Sequence, residues 1–330
     1  MSNGWVDGGG AVLVIAETRR GELRDVSLEL VSAAREVAQA AGATVAVAVI
    51  GADSAKFAQA LGAEGVDQVL TVSAPSDNFE AHVWQRAVTA LIESEQPRLV
   101  LVGHTIDSLG FAPAVAARQG LGFATDVVKV SFDGGLRARR GAYGDKLQAE
   151  VEFPDHDCTL LTVRAGMYPV AAAGSGSPAV RAVELDLAGA ARTEHVEFRD
   201  VAGGDVDITK AEFLLSIGRG VEDKDEVPRF QELADQFGAT LSSSRPLVDA
   251  GWMPSSRQVG QSGKTVKPRV YLALGISGAV QHLAGMRTAD TIIAVNTDPE
   301  APIFGVAHFG AVADLFEVVD GIEKALEQAS

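Results

Sequence analysis

The chain is poor in cysteine, in basic residues and in long apolar runs. Cys158 is the one cysteine among 330 residues, so no disulfide can form within the chain, and we expect a buried structural thiol in a reducing compartment. No uninterrupted apolar run approaches the ~18 residues that a membrane helix requires. The first residues, MSNGWVDGGG, lack the basic stretch and apolar core of a leader peptide. These absences predict a soluble, cytoplasmic protein that is not membrane-embedded.

The scarcity of basic residues also limits the partners of the chain. There are 28 Lys and Arg against 44 Asp and Glu, which gives a formal net charge of -16. Such a charge repels phosphate backbones, so we expect neither nucleic acid nor an anionic membrane surface as a partner. An anionic ligand would have to be held locally, by backbone amides and single basic side chains. Hydrophobic residues are abundant, at 47%, and the length predicts ~2 domains.

Strand and helix patterns alternate along most of the chain. In the first half, strands are predicted at 11–16, 44–50, 68–72 and 98–102, and helices at 26–41, 54–61 and 79–94. This alternation is typical of a parallel sheet covered on both faces. Strand-like runs at 127–132, 136–140, 148–153 and 159–163 have no helix between them and predict an antiparallel edge or flap.

The alternation resumes after residues 171–180, AAAGSGSPAV, whose composition predicts a linker. Beyond it, strands are predicted at 212–217, 239–242, 270–274 and 291–295, and helices at 227–237 and 279–286. The predicted fold class is α/β, with two doubly wound, Rossmann-like parallel-sheet domains, of which the first carries the antiparallel edge. We place these domains at 1–190 and 191–330.

Polar or glycine-rich turns follow four strands of the second domain. They are Gly218-Arg219-Gly220, Ser243-Ser244-Arg245, Gly275-Ile276-Ser277-Gly278 and Asn296-Thr297-Asp298. The carboxyl ends of strands in an open parallel sheet line the crevice where ligands bind, so these four turns predict one elongated site.

The stretch 275–286, GISGAVQHLAGM, permits two interpretations. Its glycines and Ser277 suit a pyrophosphate at a helix N-terminus, or they form an ordinary helix start with a serine cap. His282 either faces a ligand or is a satisfied core histidine. Arg219 and Arg245 are ligand-binding residues or partners in surface salt bridges, and the loop 258–263, QVGQSG, covers a ring edge or is a plain connector.

Two partial motifs point to other chemistry but lack necessary residues. Gly275 to Ala279 imitates the hydrolase turn G-x-S-x-G, but Ala279 replaces the last glycine. Gly263-Lys264-Thr265 imitates the end of a P-loop, but Gln258 stands where the first glycine is required. We therefore predict no catalytic residue and no metal ligand.

The polar turns, the loop 258–264, the GISGAVQHLAGM stretch and the segment 293–304 together resemble the alpha subunit of electron transfer flavoprotein. The match covers about residues 205–320, and residues 102–105 and 124–127 extend it more loosely into the first half. The resemblance implies one non-covalent FAD in the C-terminal domain and a heterodimer with a beta subunit, which contacts the N-terminal domain and holds AMP in the common type. It also implies the residues that contact FAD: Arg219, Ser244, Arg245, Gln258, Val259, Gly260, Gln261, Ser262, Ser277, Gly278, Ala279, Val280, Gln281, His282, Asn296, Asp314 and Leu315.

Within this set, the resemblance places three residues beside the flavin ring: Arg245, His282 near the C2 carbonyl, and Ser262 near N5, where the family usually has threonine. Ser277 and Asn296 would serve the phosphates, and Asp314 with Leu315 the adenosine end. A cation ~4 Å from a charge, at an effective dielectric of ~20, is worth ~4 kcal/mol. An arginine or a protonated histidine near the ring would therefore tune its redox potential.

The resemblance predicts an electron carrier rather than an enzyme. Its FAD would accept electrons from flavoprotein dehydrogenases, such as the acyl-CoA dehydrogenases of fatty acid beta-oxidation, and pass them singly to a quinone-linked oxidoreductase. The alternatives are an FAD- or nucleotide-dependent oxidoreductase with its own small substrate, and a nucleotide sensor without a redox role. No G-x-G-x-x-G follows the first strand, which argues against a separate nicotinamide domain.

Overall fold

The computed structural model describes residues 10–143, 147–198 and 206–329. The chain divides into two units between Phe198 and Arg199, called here the first unit and the second unit. The domain limits of 1–190 and 191–330, which come from the sequence, remain a prediction.

The first unit contains a nine-stranded sheet in the order β11-β5-β4-β1-β6-β10-β7-β8-β9, and a separate two-stranded ribbon of β2 and β3. Its strands are β1 Ala11–Ala16, β2 Thr18–Arg19, β3 Glu22–Leu23, β4 Thr44–Gly51, β5 Gln68–Ser73, β6 Leu99–Gly103, β7 Gly122–Phe132, β8 Leu136–Ala142, β9 Leu147–Glu152, β10 Thr159–Val163 and β11 Ala179–Val183. The strands from β11 to β7 pair in parallel, whereas β7, β8 and β9 pair antiparallel. The predicted antiparallel edge is therefore confirmed.

Helices cover both faces of this sheet. They are α1 Asp25–Ala41, α2 Ala58–Leu61, α3 Ala81–Glu95, α4 Ile106–Leu109 and α5 Ala112–Gln119. Consecutive residues of β1 are buried in opposite cores, Val12 and Val14 in one and Leu13 and Ile15 in the other, as a strand buried on both faces requires. The helix α1 ends at Gly42, whose φ of 67° is the left-handed conformation that glycine adopts most easily.

Two expectations for the first unit are wrong. The run 159–163 does not belong to an antiparallel flap, because β10 lies between β6 and β7, parallel to both, with all five residues buried. The predicted linker is not a linker at its end, because residues 179–183 form β11, which pairs in parallel with β5. Its glycines permit tight packing: a Cβ on Gly176 would lie 2.4 Å from the Ala63 carbonyl oxygen.

The second unit has a sheet of five parallel strands in the order β13-β12-β14-β15-β16. The strands are β12 Phe213–Ile217, β13 Thr240–Ser243, β14 Val270–Leu274, β15 Thr291–Asn296 and β16 Phe309–Val312. The helices are α6 Val227–Phe237, α7 Arg245–Asp249, α8 Val280–Leu283 and α9 Leu315–Ala329. The core packed by α6 and α9 includes Ile217 and Phe230, and the opposite core includes Tyr271 and Met286.

The helix predicted at 279–286 is shorter than expected, because α8 is regular only over Val280–Leu283. Turns follow it and bring Gly285 against Gly260, where a Cβ on Gly285 would lie 2.5 Å from the Gly260 Cα. The close approach of the two backbones therefore stops the helix early.

The predicted fold class, two Rossmann-like α/β domains, is confirmed. Across the described residues, no helix is both long enough and apolar enough to cross a membrane, and no His, Cys, Asp and Glu side chains cluster in a way that could hold a metal ion. Cys158 is half-buried rather than buried, and the partial burial of its thiol raises the pKa to about 12, which disfavours the reactive thiolate.

Candidate functional site

A cavity of about 520 Å³ lies in the second unit at the carboxyl ends of its strands. The chain goes from β12 to β13 on one side and then to β14 on the other, so the strand order reverses between β12 and β14. A parallel sheet opens a crevice at such a reversal. The volume falls in the range of ~300–1,000 Å³ that is typical of small-molecule sites.

Every residue predicted to contact a ligand lines this cavity except Val280. Those residues are Arg219, Ser244, Arg245, Gln258, Val259, Gly260, Gln261, Ser262, Ser277, Gly278, Ala279, Gln281, His282, Asn296, Asp314 and Leu315. Four further lining residues belong to the turns that were predicted to form the site, although they were not predicted to contact FAD: Gly220, Gly275, Ile276 and Thr297. The lining residues that were not predicted are Glu222, Pro246, Asp249, Val295, Ala313 and Phe316. Most of these are neighbours of predicted residues, and the position of Asp249 four residues after Arg245 was the signal that could have identified it.

The turn between β14 and α8 has a shape that only glycine permits at two positions. Gly275 has a φ of 65°, and a Cβ there would lie 2.7 Å from Leu315 Cδ2. Gly278 has a φ of 81°, and a Cβ there would lie 2.4 Å from the Ile303 nitrogen. Ser277 is exposed to the cavity, and the residue before α8 is Ala279, so Ser277 is not a cap of this helix. The structure thus disfavours the serine-cap interpretation.

Asn296 joins the end of β15 to this glycine turn. Its Nδ2 donates to the Ile276 carbonyl at 2.9 Å, and its Oδ1 accepts from the Asp298 amide at 2.9 Å. Both polar groups of the side chain therefore hold backbone in place, and any contact with a phosphate would be made in addition.

The loop 258–263 is fastened to two elements that border the cavity. The Val259 amide donates to the Ser243 carbonyl at 2.9 Å, and the Gln261 amide donates to the Gln281 carbonyl at 2.7 Å. The buried Gln258 donates from Nε2 to Ser262 Oγ at 3.0 Å, which orients that hydroxyl. The loop is therefore a wall of the cavity held by hydrogen bonds, rather than a plain connector.

Arg245 places a cation at the rim of the cavity. It is the first residue of α7, its side chain is 65% exposed, and its Nε lies 3.2 Å from Asp249 Oδ2. The alternative of a surface salt bridge is thus realised, but both partners also line the cavity. Arg219, in the turn after β12, is likewise exposed and lines the cavity.

His282 lies in the cavity wall, only 6% exposed. Its Nε2 is 3.0 Å from the Tyr271 hydroxyl, and its Nδ1 has no hydrogen-bond partner among the described residues. Burial, partly opposed by the backbone of Val259, lowers the pKa of His282 to about 4, so the ring is neutral at pH 7. The expectation that His282 could act as a protonated cation is not supported, which leaves Arg245 as the cation near the predicted ring position.

The remaining predicted residues lie where α9 begins. Asp314 Oδ1 accepts from the Phe316 amide at 2.7 Å, and Leu315 is buried against the glycine turn. These residues lie near the C-terminal end of the lining segments and supply one carboxylate and one apolar side chain.

The cavity fits a dinucleotide cofactor. Its glycine turn leaves room for close backbone approach, and its walls offer serine hydroxyls, the cations of Arg219 and Arg245, and a buried imidazole nitrogen that has no partner in the described part of the chain. Fold and site together define a dinucleotide-binding α/β domain of the Rossmann-like class.

Comparison with known proteins identifies the family. Residues 12–188 match the electron transfer flavoprotein domain, and residues 207–287 match the electron transfer flavoprotein FAD-binding domain. The electron transfer flavoprotein subunit alpha of Methylophilus methylotrophus is 46% identical over 318 residues, covering 96% of this chain and 98% of that protein. That of Bacillus subtilis is 35% identical over 323 residues, covering 96% and 98%.

A third relative is a dehydrogenase subunit, the lactate dehydrogenase (NAD(+),ferredoxin) subunit LctC of Acetobacterium woodii, which is 32% identical over 321 residues and covers 96% of this chain and 77% of that protein. The chain belongs to the family of electron transfer flavoprotein alpha subunits. Its cofactor is FAD, and its role is electron transfer.

Proposed function

We propose that this chain forms a heterodimer with a beta subunit and carries electrons, one at a time, between other redox proteins. The donors are flavoprotein dehydrogenases such as the acyl-CoA dehydrogenases of fatty acid beta-oxidation, and the acceptor is a quinone-linked oxidoreductase. The observation that supports this most is the cavity at the β12–β14 reversal, with Arg245 at its rim and a neutral, buried His282 in its wall.

The residues of the cavity have distinct tasks in this proposal. Ser277 and the backbone of the glycine turn hold the phosphates, and Asp314 with Leu315 holds the adenosine end. Arg245 lies beside the flavin ring, and the Ser262 hydroxyl, oriented by Gln258, faces its N5 edge. FAD supplies the ability to take up and release single electrons.

The first unit has a different task in the proposal. It contacts the beta subunit, which holds AMP in the common type, and the complex works in the cytoplasm. The proposal rests on the relatives, which are named as subunits, and on the match of residues 12–188 to a family domain separate from the FAD-binding one.

The test is to co-express the chain with its beta subunit, purify the complex and record its absorption spectrum. We expect flavin bands and one FAD per heterodimer. Reduction by an acyl-CoA dehydrogenase with its substrate should bleach these bands, and a quinone-linked oxidoreductase should restore them. A colourless complex without FAD would refute the proposal, and bleaching by none of several flavoprotein dehydrogenases would refute the named donors.

A second candidate is an oxidoreductase complex that acts on its own small substrate. It is favoured by one observation, the similarity to a relative that is named as a lactate dehydrogenase subunit. Adding NADH or 2-hydroxy acids to the heterodimer alone separates the two candidates, because a simple carrier should show no flavin reduction under these conditions.

A further inference from the structure

Tyr271 lies directly behind the wall of the cavity. It is on β14, is fully buried, and its hydroxyl is 3.0 Å from His282 Nε2. None of the functional groups described above requires a tyrosine at this position, and a phenylalanine would fill the same core volume. The hydroxyl therefore calls for an explanation beyond packing, because burying an unnecessary polar group costs stability.

The surroundings of Tyr271 keep its phenol protonated. Burial raises the pKa of Tyr271, and the hydroxyls of Ser216 and Ser242 oppose that rise only in part. These serines face each other in the register of β12 and β13, and they are buried as well. The phenol is therefore a neutral O–H group at physiological pH, able to donate one hydrogen bond.

The imidazole of His282 has two arrangements of its single proton. A neutral ring carries N–H at one nitrogen and a lone pair at the other. When the phenol donates to Nε2, the proton of the ring is on Nδ1, the nitrogen without a partner among the described residues. The opposite arrangement would leave a lone pair at Nδ1, which cannot donate to a carbonyl oxygen of a flavin.

We propose that Tyr271 is a positioning residue that donates to His282 Nε2 and thereby fixes the neutral Nδ1–H tautomer, so that the imidazole presents a donor to an acceptor oxygen of the ligand. The identity of that ligand rests on the proposed function, whereas the tautomer is a property of this chain. A tyrosine in this place sets which hydrogen bond the histidine can make, much as a carboxylate or carbonyl bonded to the free ring nitrogen sets the tautomer of a metal-bound histidine.

The direct test is ¹⁵N NMR of the histidine rings in the full-length chain with its beta subunit, measured with FAD removed and with FAD bound. The chain has six histidines, and His282→Asn assigns the signal. We expect the Nδ1–H pattern in both states of the unsubstituted protein and a mixture of tautomers in FAD-free Tyr271→Phe. An Nε2–H pattern in the unsubstituted protein, or an unchanged pattern in Tyr271→Phe, would overturn the proposal.

The affinity for FAD provides a second readout. Losing one oriented hydrogen bond, worth ~1 kcal/mol, should weaken FAD binding by about 5-fold in Tyr271→Phe. The same change in a His282→Asn background should have almost no effect, because Tyr271 then has no imidazole to orient. Equal losses in both backgrounds would show that Tyr271 acts through packing alone.

Tyr168→Phe is the matched control, because it removes the hydroxyl of a buried tyrosine in the first unit, one that accepts from the Val130 amide at 2.7 Å. It should leave the His282 tautomer and the affinity for FAD unchanged.

Fluorotyrosine covers the case in which Tyr271→Phe does not fold, since it keeps the ring and strengthens the donor at the three tyrosines of the chain. The Nε2 resonance of His282 should then shift, and a fixed resonance would refute the hydrogen bond.

If no FAD binds to any of these proteins, the proposed function fails while the measurement of the tautomer stands. If FAD binds and the tautomer is wrong, only the role of Tyr271 fails.

Discussion

The two units reverse their strand order in the same way, yet among the described residues the cavity at the reversal is large in the second unit and small in the first. In the first unit the reversal lies between β1 and β6, and the cavity there is about 20 Å³. In the second unit it lies between β12 and β14, and the cavity is about 520 Å³. Sheet topology therefore offers a site in both units, and the residues that follow the strands determine whether it opens.

Side chains fill the reversal of the first unit. Glu17 follows β1 directly, and its carboxylate accepts a hydrogen bond from Thr105 Oγ1 at 2.7 Å, which ties together the turns after β1 and β6. Phe79, Trp84 and Phe111 pack beside it, with the rings of Phe79 and Trp84 5.3 Å apart. A carboxylate and three aromatic rings leave no space for a phosphate and would repel one.

Glycines keep the reversal of the second unit open. Gly218 follows β12 and Gly275 follows β14, and a Cβ on Gly218 would lie 2.3 Å from the Gly275 carbonyl oxygen. The comparison shows that, at the same kind of strand reversal, a few residues at the strand ends determine whether a large cavity forms.

The largest effect is expected from removing an aromatic ring at the strand-order reversal of the first unit. Trp84→Ala removes a ring that is 6% exposed and should destabilise the chain by about 3–5 kcal/mol, without creating an FAD site, because Glu17 remains. Chemical denaturation followed by fluorescence and a flavin titration measure the two outcomes. Trp252→Ala, at a partly exposed position in the second unit, should cost less. A second bound FAD in Trp84→Ala would contradict this account.

Closing the second reversal should abolish the cofactor site. Gly275→Ala introduces a Cβ at a φ of 65°, against Leu315 and the Gly220 backbone, so we expect a strain of about 1–3 kcal/mol and loss of FAD from the purified complex. The flavin-to-protein absorbance ratio is the measurement. Gly238→Ala is the control, because it has a similar φ of 63° with open space around it. If both variants retain FAD, the glycine turn does not shape the site.

Removing the rim cation should change the redox potential rather than the fold. Arg245→Ala should make the flavin harder to reduce. The attraction between two opposite unit charges ~4 Å apart is ~1 kcal/mol in water and ~4 kcal/mol at an effective dielectric of ~20. Because Arg245 is 65% exposed, we expect a value near the lower limit, about 40–60 mV for one electron.

A redox titration measures this effect, and Arg269→Ala is its control. Arg269 is also exposed and paired with a carboxylate, that of Glu212. It precedes β14, however, and so lies at the amino ends of the strands, away from the cavity at their carboxyl ends. Equal shifts for both variants would mean that net charge, and not the position of Arg245, sets the potential.

The smallest effect concerns the carboxylate in the filled reversal. Burial, opposed in part by the hydrogen bond from Thr105, raises the pKa of Glu17. A raised pKa in the folded state means that the neutral form of the carboxyl stabilises the fold at acidic pH and that this contribution is lost as pH rises through the raised pKa. Glu17→Gln keeps an acceptor for Thr105 and should be slightly more stable than the parent at pH 7, with the difference vanishing toward pH 4. Urea unfolding at both pH values measures this, and a constant difference would contradict the raised pKa.

The sequence was informative about the cavity because its signal was local. The sequence itself shows glycine, serine and arginine directly after the strands β12, β13 and β14. Parallel pairing brings the carboxyl ends of these strands together on one side of the sheet. The helix α8 is shorter than predicted. Its end depends on the contact of Gly285 with Gly260, and these two residues are far apart in the sequence. The protonation of His282 could not be predicted, because it depends on burial that only the folded structure creates.

The topology of the first unit was less predictable. The residues of β10 are apolar enough for any central strand, and periodicity does not determine whether such a strand pairs parallel or antiparallel. The strand β11 was hidden by the glycine, serine and proline residues that precede it, because their composition is the same in a linker and in a tightly packed return to the sheet.

The walls of the large cavity are joined mainly through the main chain. The Val259 amide bonds to the Ser243 carbonyl, the Gly220 amide to the Gly275 carbonyl, and the Ile303 amide to the Ser277 carbonyl. These bonds use backbone atoms, so they persist when side chains that face the cavity are exchanged at positions other than the glycines of the turn. A side chain such as Arg245 can therefore be replaced, and the driving force of electron transfer adjusted, while the main-chain frame of the cavity stays in place.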